Sequence, residues 1–283
     1  MKRAETNVSG GMNSRVSDGI AAIAQLAGHA GSLFGQTLAK LEDSLTAAMI
    51  ASPLEWCRAD DEARNVAEWM EARGYSQVVL ENPSGGRALI VSHAELKDAN
   101  AGERVAARGK AIDADAIISH DTGIKRLLTM FTRRNYFLTL RGDRVEGIVG
   151  VSDLDKLPTR VMLFVHIMEL EARLAEAIVR EYPEDAWAAH LPGGRKAKVD
   201  ELYQRKRERD LQTSRIHCTQ FCDKGMLCLK LPRVRERLGD GSARQWDRRF
   251  DRIQELRNVI AHGEAMITDE QAVVELAELV QAM

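Results

Sequence analysis

Aromatic residues are scarce in this 283-residue sequence, cysteine and proline are few, and no long apolar run occurs. Phe, Trp and Tyr make up 5%, so the cores must rest mainly on Leu, Val, Ile, Ala and Met. The apolar share of 45% is enough to build them. No stretch approaches the ~20 apolar residues that a membrane-spanning helix needs, so no membrane partner is expected. The first residues, MKRAETNVSGGMNSR, are basic, but no apolar segment of secretory length follows them. Four cysteines without such a signal imply reduced thiols and a cytoplasmic location. There is no P-loop, no Rossmann fingerprint and no Gly-x-Ser-x-Gly. Acidic residues are scattered, with no pairing of the kind hydrolases use. Cys218, Cys222 and Cys228 follow His217, but Cys-x3-Cys-x5-Cys is not a zinc spacing; these are expected to be core thiols, and no metal is expected.

The formal net charge of −2 hides a local imbalance. From Arg195 to Arg257 there are 18 Lys/Arg against 10 Asp/Glu; from Asn258 to the end there are 5 Asp/Glu and no Lys/Arg. Two readings stand side by side: solvated helix faces, or a polyanion-binding surface with an acidic helix beside it. Within the run RKRER (205–209), next to Tyr203, the residues Arg205, Lys206 and Arg207 are the candidates for gripping RNA phosphates.

Residues 1–14 are rich in Gly, Ser and Asn and read as a disordered tip. Residues 15–48 show helical spacing (Ile20, Ile23, Leu26, then Leu33, Phe34, Leu38, Leu41, Leu45), with Gly28 and Gly31 as breaks. The character changes over 49–156, where one order of elements occurs twice. A helix, EARNVAEWMEARG, ends at a C-cap glycine, Gly74. A strand SQVVLE, a turn NPSGG, a strand RALIVS and a short segment HAELKD follow. Then a helix within SHDTGIKRLLTMFTRRN leads to strands YFLTLRG and VEGIVGVS and a new helix at DLDKL. Chance does not repeat a whole order of elements, so the repeat outweighs any single motif.

Two βαββα units closing on GIVGVSDLDK (147–156) resemble a tandem pair of CBS domains. The resemblance implies adenine-nucleotide binding in clefts between the units, by a Thr or Ser and an acidic residue three positions later. In the first unit Ser92 and Glu95 hold these positions. In the second Asp153 holds the acidic one and Gly150 the other. The residues themselves also allow Asp153 to be simply an N-cap.

From Leu157 onward only helical patterns remain. PTRVMLFVHIMELEARLAEAIVREY is a long amphipathic helix with Pro158 in its first turn. LPGG (191–194) breaks the chain, GRKAKVDELYQRKRERD forms a basic helix, and short helices surround Pro232. The turn GDGS (239–242) offers Ser242 as N-cap for a helix over 243–262, and a last helix spans about 268–282. Trp246, Phe250, Ile253, Leu256 and Ile260 recur at spacings of three and four and define one face. Arg257, seven residues after Phe250, points into that stripe, so its guanidinium must meet a carboxylate, carbonyls, a partner chain or an anion. Gly263 stops the helix and leaves His262 at its end. The spacing Arg-x4-His is itself weak, since Arg87/His93 and Arg160/His166 are one residue wider. The context distinguishes Arg257: an apolar stripe, an adjacent Asn and a helix end.

RNVIAHG, preceded by long helices, resembles the motif of the HEPN family over about residues 157–283. Many such domains are metal-independent endoribonucleases that dimerise so that two motifs face each other. The resemblance implies that Arg257 binds or stabilises the scissile phosphate, His262 transfers a proton and Asn258 positions one of the reacting groups. Glu264 stands where one toxin branch of that family has a tyrosine. Arg257 and His262 lie about 140° apart on a straight helix, so joint action calls for a two-fold interface.

The sequence therefore predicts an α+β chain: N-terminal helices (1–48), a CBS-like pair (49–156) and an all-α HEPN-like bundle (157–283). The expected function is a cytoplasmic, dimeric, HEPN-type endoribonuclease regulated by an adenine nucleotide, with no cofactor required. The alternative is a non-catalytic nucleotide-sensing or RNA-binding module in which the bundle serves dimerisation.

Overall fold

The computed structural model describes residues 33–81, 88–238 and 241–282. The expected disordered tip, the helix before Gly28 and the turn at 82–86 lie outside the described residues. The chain forms two compact units. One is Ser44–Thr159; the other joins the residues up to Asp43 with those from Arg160 onward. Helix α1 (Leu33–Ser44) belongs almost wholly to the second of these.

The α/β unit begins with α2 (Ala47–Ile50) and carries eight short strands among the described residues. One sheet has the order β2 (Trp56–Arg58), β3 (Gln77–Glu81), β4 (Leu89–Ser92), β5 (Lys110–Ala111). The other has the order β6 (Ile117–Ser119), β7 (Tyr136–Arg141), β8 (Arg144–Gly150), β1 (Ser52–Pro53). In each sheet the first pair is parallel and the other two antiparallel. The helices are α3 (Ala63–Arg73), α4 (His93–Leu96) and α5 (Ile124–Phe131). A shift of 61 residues lays the buried positions of α3 over those of α5: Ala63 on Ile124, Val66 on Leu127, Ala67 on Leu128, Met70 on Phe131. The duplication read from sequence is thus present in strand order, direction and buried face.

One strand crosses between the repeats: β1 precedes the first repeat yet completes the sheet of the second, whereas β5 follows the first repeat and closes that repeat's own sheet. Sequence periodicity identified β3, β4, β7 and β8 but not β1, β2, β5 and β6, which have two or three residues each. Such strands are too short to show alternation. Met70, Val78, Leu80, Val91 and Leu96 form the core under the first sheet, while Val79, Ile90 and Leu138 cluster with Leu54 and Ile148 where the two sheets meet. Gly74 caps α3 at φ +68°, as expected.

The other unit is helical throughout its described residues. Its elements are α6 (Leu157–Glu181, within the unit from Arg160), α7 (Gly193–Glu208), α8 (Phe221–Lys230), α9 (Pro232–Arg237), α10 (Ala243–His262) and α11 (Glu270–Ala282). Pro192 is the N-cap of α7 and Pro232 the first residue of α9, positions where a missing N–H costs nothing. Leu174, Ile178, Trp187, Phe221, Leu227 and Leu231 make up the centre of the core, with Trp246, Phe250 and Ile253 of α10 closing one side. α8 and α10 approach closely at Gly225, where a Cβ would lie 3.1 Å from the Phe250 ring. Two ion pairs in this unit each bury one partner: Asp223 with Arg195, and Lys224 with Glu171 at 2.9 Å. Burial opposes the charge on Asp223, but Arg195 and the Gln220 N–H outweigh it and hold the carboxyl below its ordinary pKa.

Candidate functional site

α10 is bounded as its sequence requires. Ser242 Oγ accepts the Gln245 N–H at 3.3 Å and Gln245 Oε1 accepts the Ser242 N–H at 2.8 Å, a reciprocal capping box. At the other end Gly263 takes φ +73°, and the Gly263 and Glu264 N–H groups return to the carbonyls of Ile260 and Val259. His262 is therefore the last helical residue, and it is exposed. From α6, Arg160 donates to the Glu264 carbonyl at 2.6 Å and ties down the segment that follows the helix.

The apolar stripe is buried at Trp246, Phe250 and Ile253 but only half-buried at Leu256 and Ile260. Arg257 stands in this open last stretch and is itself half-buried. The sequence placed Arg257 inside the stripe and so demanded a counter-charge. In the fold the stripe surfaces one turn earlier, so water can solvate the guanidinium. Among the described residues none hydrogen-bonds or ion-pairs with Arg257 or His262. Asn258 is exposed, and its Oδ1 accepts Gln254 Nε2 at 3.1 Å. The arrangement is an arginine and a histidine presented unpartnered near the end of one helix. The competing Arg160/His166 pair is built into the fold instead: His166 is buried, with Nε2 2.5 Å from Glu42.

The basic run on α7 is less free than the count of charges implies. Arg205 lies 3.7 Å from Glu201, and Arg207 stacks on the Tyr203 ring at 6.0 Å and donates to its hydroxyl at 3.5 Å. Lys206 is half-buried. Elsewhere in the basic segment Arg195, Arg215, Lys224 and Arg237 all face acidic partners, so part of its excess charge is neutralised within the unit.

In the α/β unit the three residues singled out for a nucleotide occupy matching places. Ser92 and Glu95 form a capping box at α4: the Ser92 N–H and Oγ both donate to Glu95 Oε2 at 2.8 Å, and Lys110 of β5 pairs with the same carboxylate. Burial works against the Glu95 charge, but Lys110 and Ser92 outweigh it and lower the pKa. Asp153 sits at the third position of a short 3-10 turn (Val151–Asp155), with Gly150 at the cap; it is not the cap itself. Its Oδ2 accepts the Gly150 N–H at 2.7 Å, and its Oδ1 accepts Ser52 Oγ at 3.0 Å. Lys156 Nζ reaches Oδ1 at 2.7 Å, and also Ser52 Oγ and the Ile50 carbonyl. Ser52 and Lys110 are register equivalents, facing Ile148 and Ile90 respectively, each two residues before the cap. Sequence reading missed Ser52, Lys110 and Lys156, because strands too short to detect carry the first two to their acids.

Cys57, Cys218 and Cys228 are buried and Cys222 is exposed. Burial raises Cys228 to about 12, and burial with Asp61 raises Cys57 to about 11. Among the described residues no group of three or more His, Cys, Asp or Glu is placed to hold a metal, and no helix is long and apolar enough to cross a membrane.

Fold and site together define a two-part chain: a duplicated α/β module whose acidic positions are internally satisfied, and a helical unit with an Arg/His pair at an open helix end. No known family and no curated protein matches the sequence. Among solved structures the chain is similar to a conserved CBS domain protein of unknown function from Thermoplasma acidophilum, at 12% identity and TM-score 0.34, over 43% of this chain and 76% of that one. It is similar to a hexameric CBS-CP12 protein from bloom-forming cyanobacteria, at 14% identity and TM-score 0.34, over 78% and 98%. A third is the CBS domain of a bacterial CNNM/CorC family Mg2+ transporter in complex with ATP, at 14% identity and TM-score 0.33, over 48% and 92%.

Proposed function

We propose that the chain is a regulated effector in which a CBS-like pair senses a small ligand and a HEPN-like helical unit cleaves RNA without a metal. The observation that carries this reading is the state of Arg257 and His262. Both reach solvent at the end of α10, and neither is partnered among the described residues. A structural arginine would be expected to meet a carboxylate of its own chain. An arginine waiting for a phosphate would be open, with a titratable group and a polar residue near it, as Arg257, His262 and Asn258 are. Their separation of five positions makes a two-fold dimer the working form, with one motif from each copy lining a shared cleft. Arg205, Lys206 and Arg207 would extend the RNA track. Incubation of the purified chain with labelled RNA in EDTA, beside Arg257→Ala and His262→Ala, tests the proposal. Cleavage that both variants lose supports it; no cleavage by the unaltered chain, with or without adenine nucleotide, sinks it.

The second reading is a non-catalytic nucleotide-sensing or RNA-binding module with the bundle used for dimerisation, and one observation favours its RNA-binding form. The carboxylates of Glu95 and Asp153 are already engaged by Ser92, Lys110, Ser52 and Lys156, so a nucleotide ribose would have to displace these partners. Titration with ADP against Asp153→Asn separates these two forms: binding that this substitution abolishes restores the nucleotide-sensing role.

A further inference from the structure

The second repeat carries a groove. It lies between edge strand β6 and the outer face of α5, encloses about 870 Å3, and takes its whole lining from residues 114–137. None of Ser92, Glu95 and Asp153 lines it. Three arginines do, Arg126, Arg133 and Arg134, against a single lining carboxylate, Asp115. Arg126 stands on α5, and Arg133 in the turn just past its C-cap Thr132, where the Arg133 N–H returns to the Met130 carbonyl at 3.1 Å; Thr129 and Met130 line the groove between them. Both are exposed, and among the described residues neither guanidinium has a hydrogen-bond or ion-pair partner. Arg134 is held in place by Asp113 at 3.2 Å and by the Tyr136 ring at 5.8 Å. Ser119 and Thr122 add hydroxyls, and Ile117, exposed on the edge strand, adds an apolar wall.

Two unpaired guanidiniums lining one groove favour an anion there, and their planar forks of free N–H groups suit a phosphate best. The volume falls in the range of small-ligand pockets. The duplication supplies an internal comparison. Under the shift of 61 residues Arg126 falls on Asn65, Thr129 on Glu68 and Arg133 on Ala72. Arg134 falls on Arg73, but the positions of Arg126 and Arg133 have no guanidinium in the first repeat, so the repeat architecture alone does not require these two.

We propose that this groove binds a small phosphorylated ligand, with its phosphate between Arg126 and Arg133 and its less polar part against Ile117 and Met130. The site is separate from the capping-box acids and independent of the ribonuclease reading. Calorimetric titration of the full chain with inorganic phosphate, pyrophosphate and ADP at physiological salt tests it. Pyrophosphate and ADP bind saturably, one per chain, and ADP binds more tightly than pyrophosphate because Ile117 and Met130 take the nucleoside. The exposed double variant Arg126→Ala/Arg133→Ala weakens both at least about tenfold. Asn65→Ala, on the equivalent face of the first repeat, leaves both unchanged. Failure of pyrophosphate and ADP to saturate overturns the proposal, as does equal binding by the double variant. Loss of binding on Glu95→Gln with retention in the double variant places the ligand elsewhere and overturns it too. An RNA oligonucleotide that needs Arg126 and Arg133 while ADP and pyrophosphate do not bind makes the groove a polyanion track and overturns the small-ligand site.

Discussion

Ser52 Oγ donates a 3.0 Å hydrogen bond to Asp153 Oδ1 across 101 residues of sequence. The bond exists because β1 crosses to the sheet of the other repeat and sets Ser52 opposite Ile148. Lys156 then bridges Asp153, Ser52 and the Ile50 carbonyl, so segments near the two ends of the α/β unit are joined by one polar cluster. In the first repeat Lys110 meets Glu95 from the equivalent register position, a lysine standing where the second repeat has a serine.

Ser52→Ala removes one hydrogen bond to a buried carboxylate and should cost about 1–2 kcal/mol in urea unfolding. Gly147→Ala acts on the same contact from the other side. Its Cβ would stand 2.8 Å from the Ser52 carbonyl oxygen, so β1 must move off β8. The expected loss is about 1–3 kcal/mol. Gly147→Ala made on a Ser52→Ala background should cost less than it does alone, because the hydrogen bond it disturbs is already gone.

Stability should fall with acid through Asp223. Its pKa in the folded chain is depressed, despite burial, by Arg195 and the Gln220 N–H. A depressed carboxyl contributes stability that is fully present above its unfolded pKa, near 3.9, and is lost as pH falls through the lower folded value. Arg195→Ala should cost about 2 kcal/mol at pH 7. It should also flatten the slope of unfolding free energy between pH 5 and pH 2. A slope unchanged from the parent would show that Asp223 does not govern this window.

Arg257→Ala and His262→Ala should leave melting within about 0.5 kcal/mol of the parent, since one side chain is half-buried and the other exposed and neither is paired. RNA cleavage, if the proposed function holds, drops by at least about 100-fold in each. A large loss of stability in Arg257→Ala would instead mark it as part of the bundle's packing.

Alkylation of the native chain at pH 8 should modify Cys222 ahead of the other three thiols. Cys57, Cys218 and Cys228 are buried, and burial raises Cys57 and Cys228 to about 11 and about 12, leaving little thiolate. Peptide mapping after partial iodoacetamide labelling reads this directly. Early modification of Cys228 would mean that α8 opens in the native state.

Much of the fold was legible along the chain. α10 runs from Ala243 to His262, the bounds its Ser242 cap, Gly263 stop and apolar spacing announce. α6, α9 and the strands β3, β4, β7 and β8 stand where periodicity put them. The candidate sites were legible only in part. Ser92, Glu95 and Asp153 could be picked out by position, but not the side chains that occupy them. Ser52 and Lys110 come from two-residue strands more than a dozen positions from their acids, and no local pattern marks them. Arg126 and Arg133 were not singled out at all, because the wall opposite them is the three-residue strand β6.

Sequence by itself determined the local terms: where helices start and stop, which faces are apolar, and that one order of elements occurs twice. These follow from hydrogen bonds and side-chain spacings within a few residues, so they can be read in one dimension. Tertiary structure alone decided the crossing of β1 to the second sheet, the partners that engage Glu95 and Asp153, and the point at which the α10 stripe surfaces and frees Arg257. Each depends on which distant segment arrives beside the residue, and therefore on burial and the electrostatic partners available there. Composition and periodicity do not encode either quantity locally.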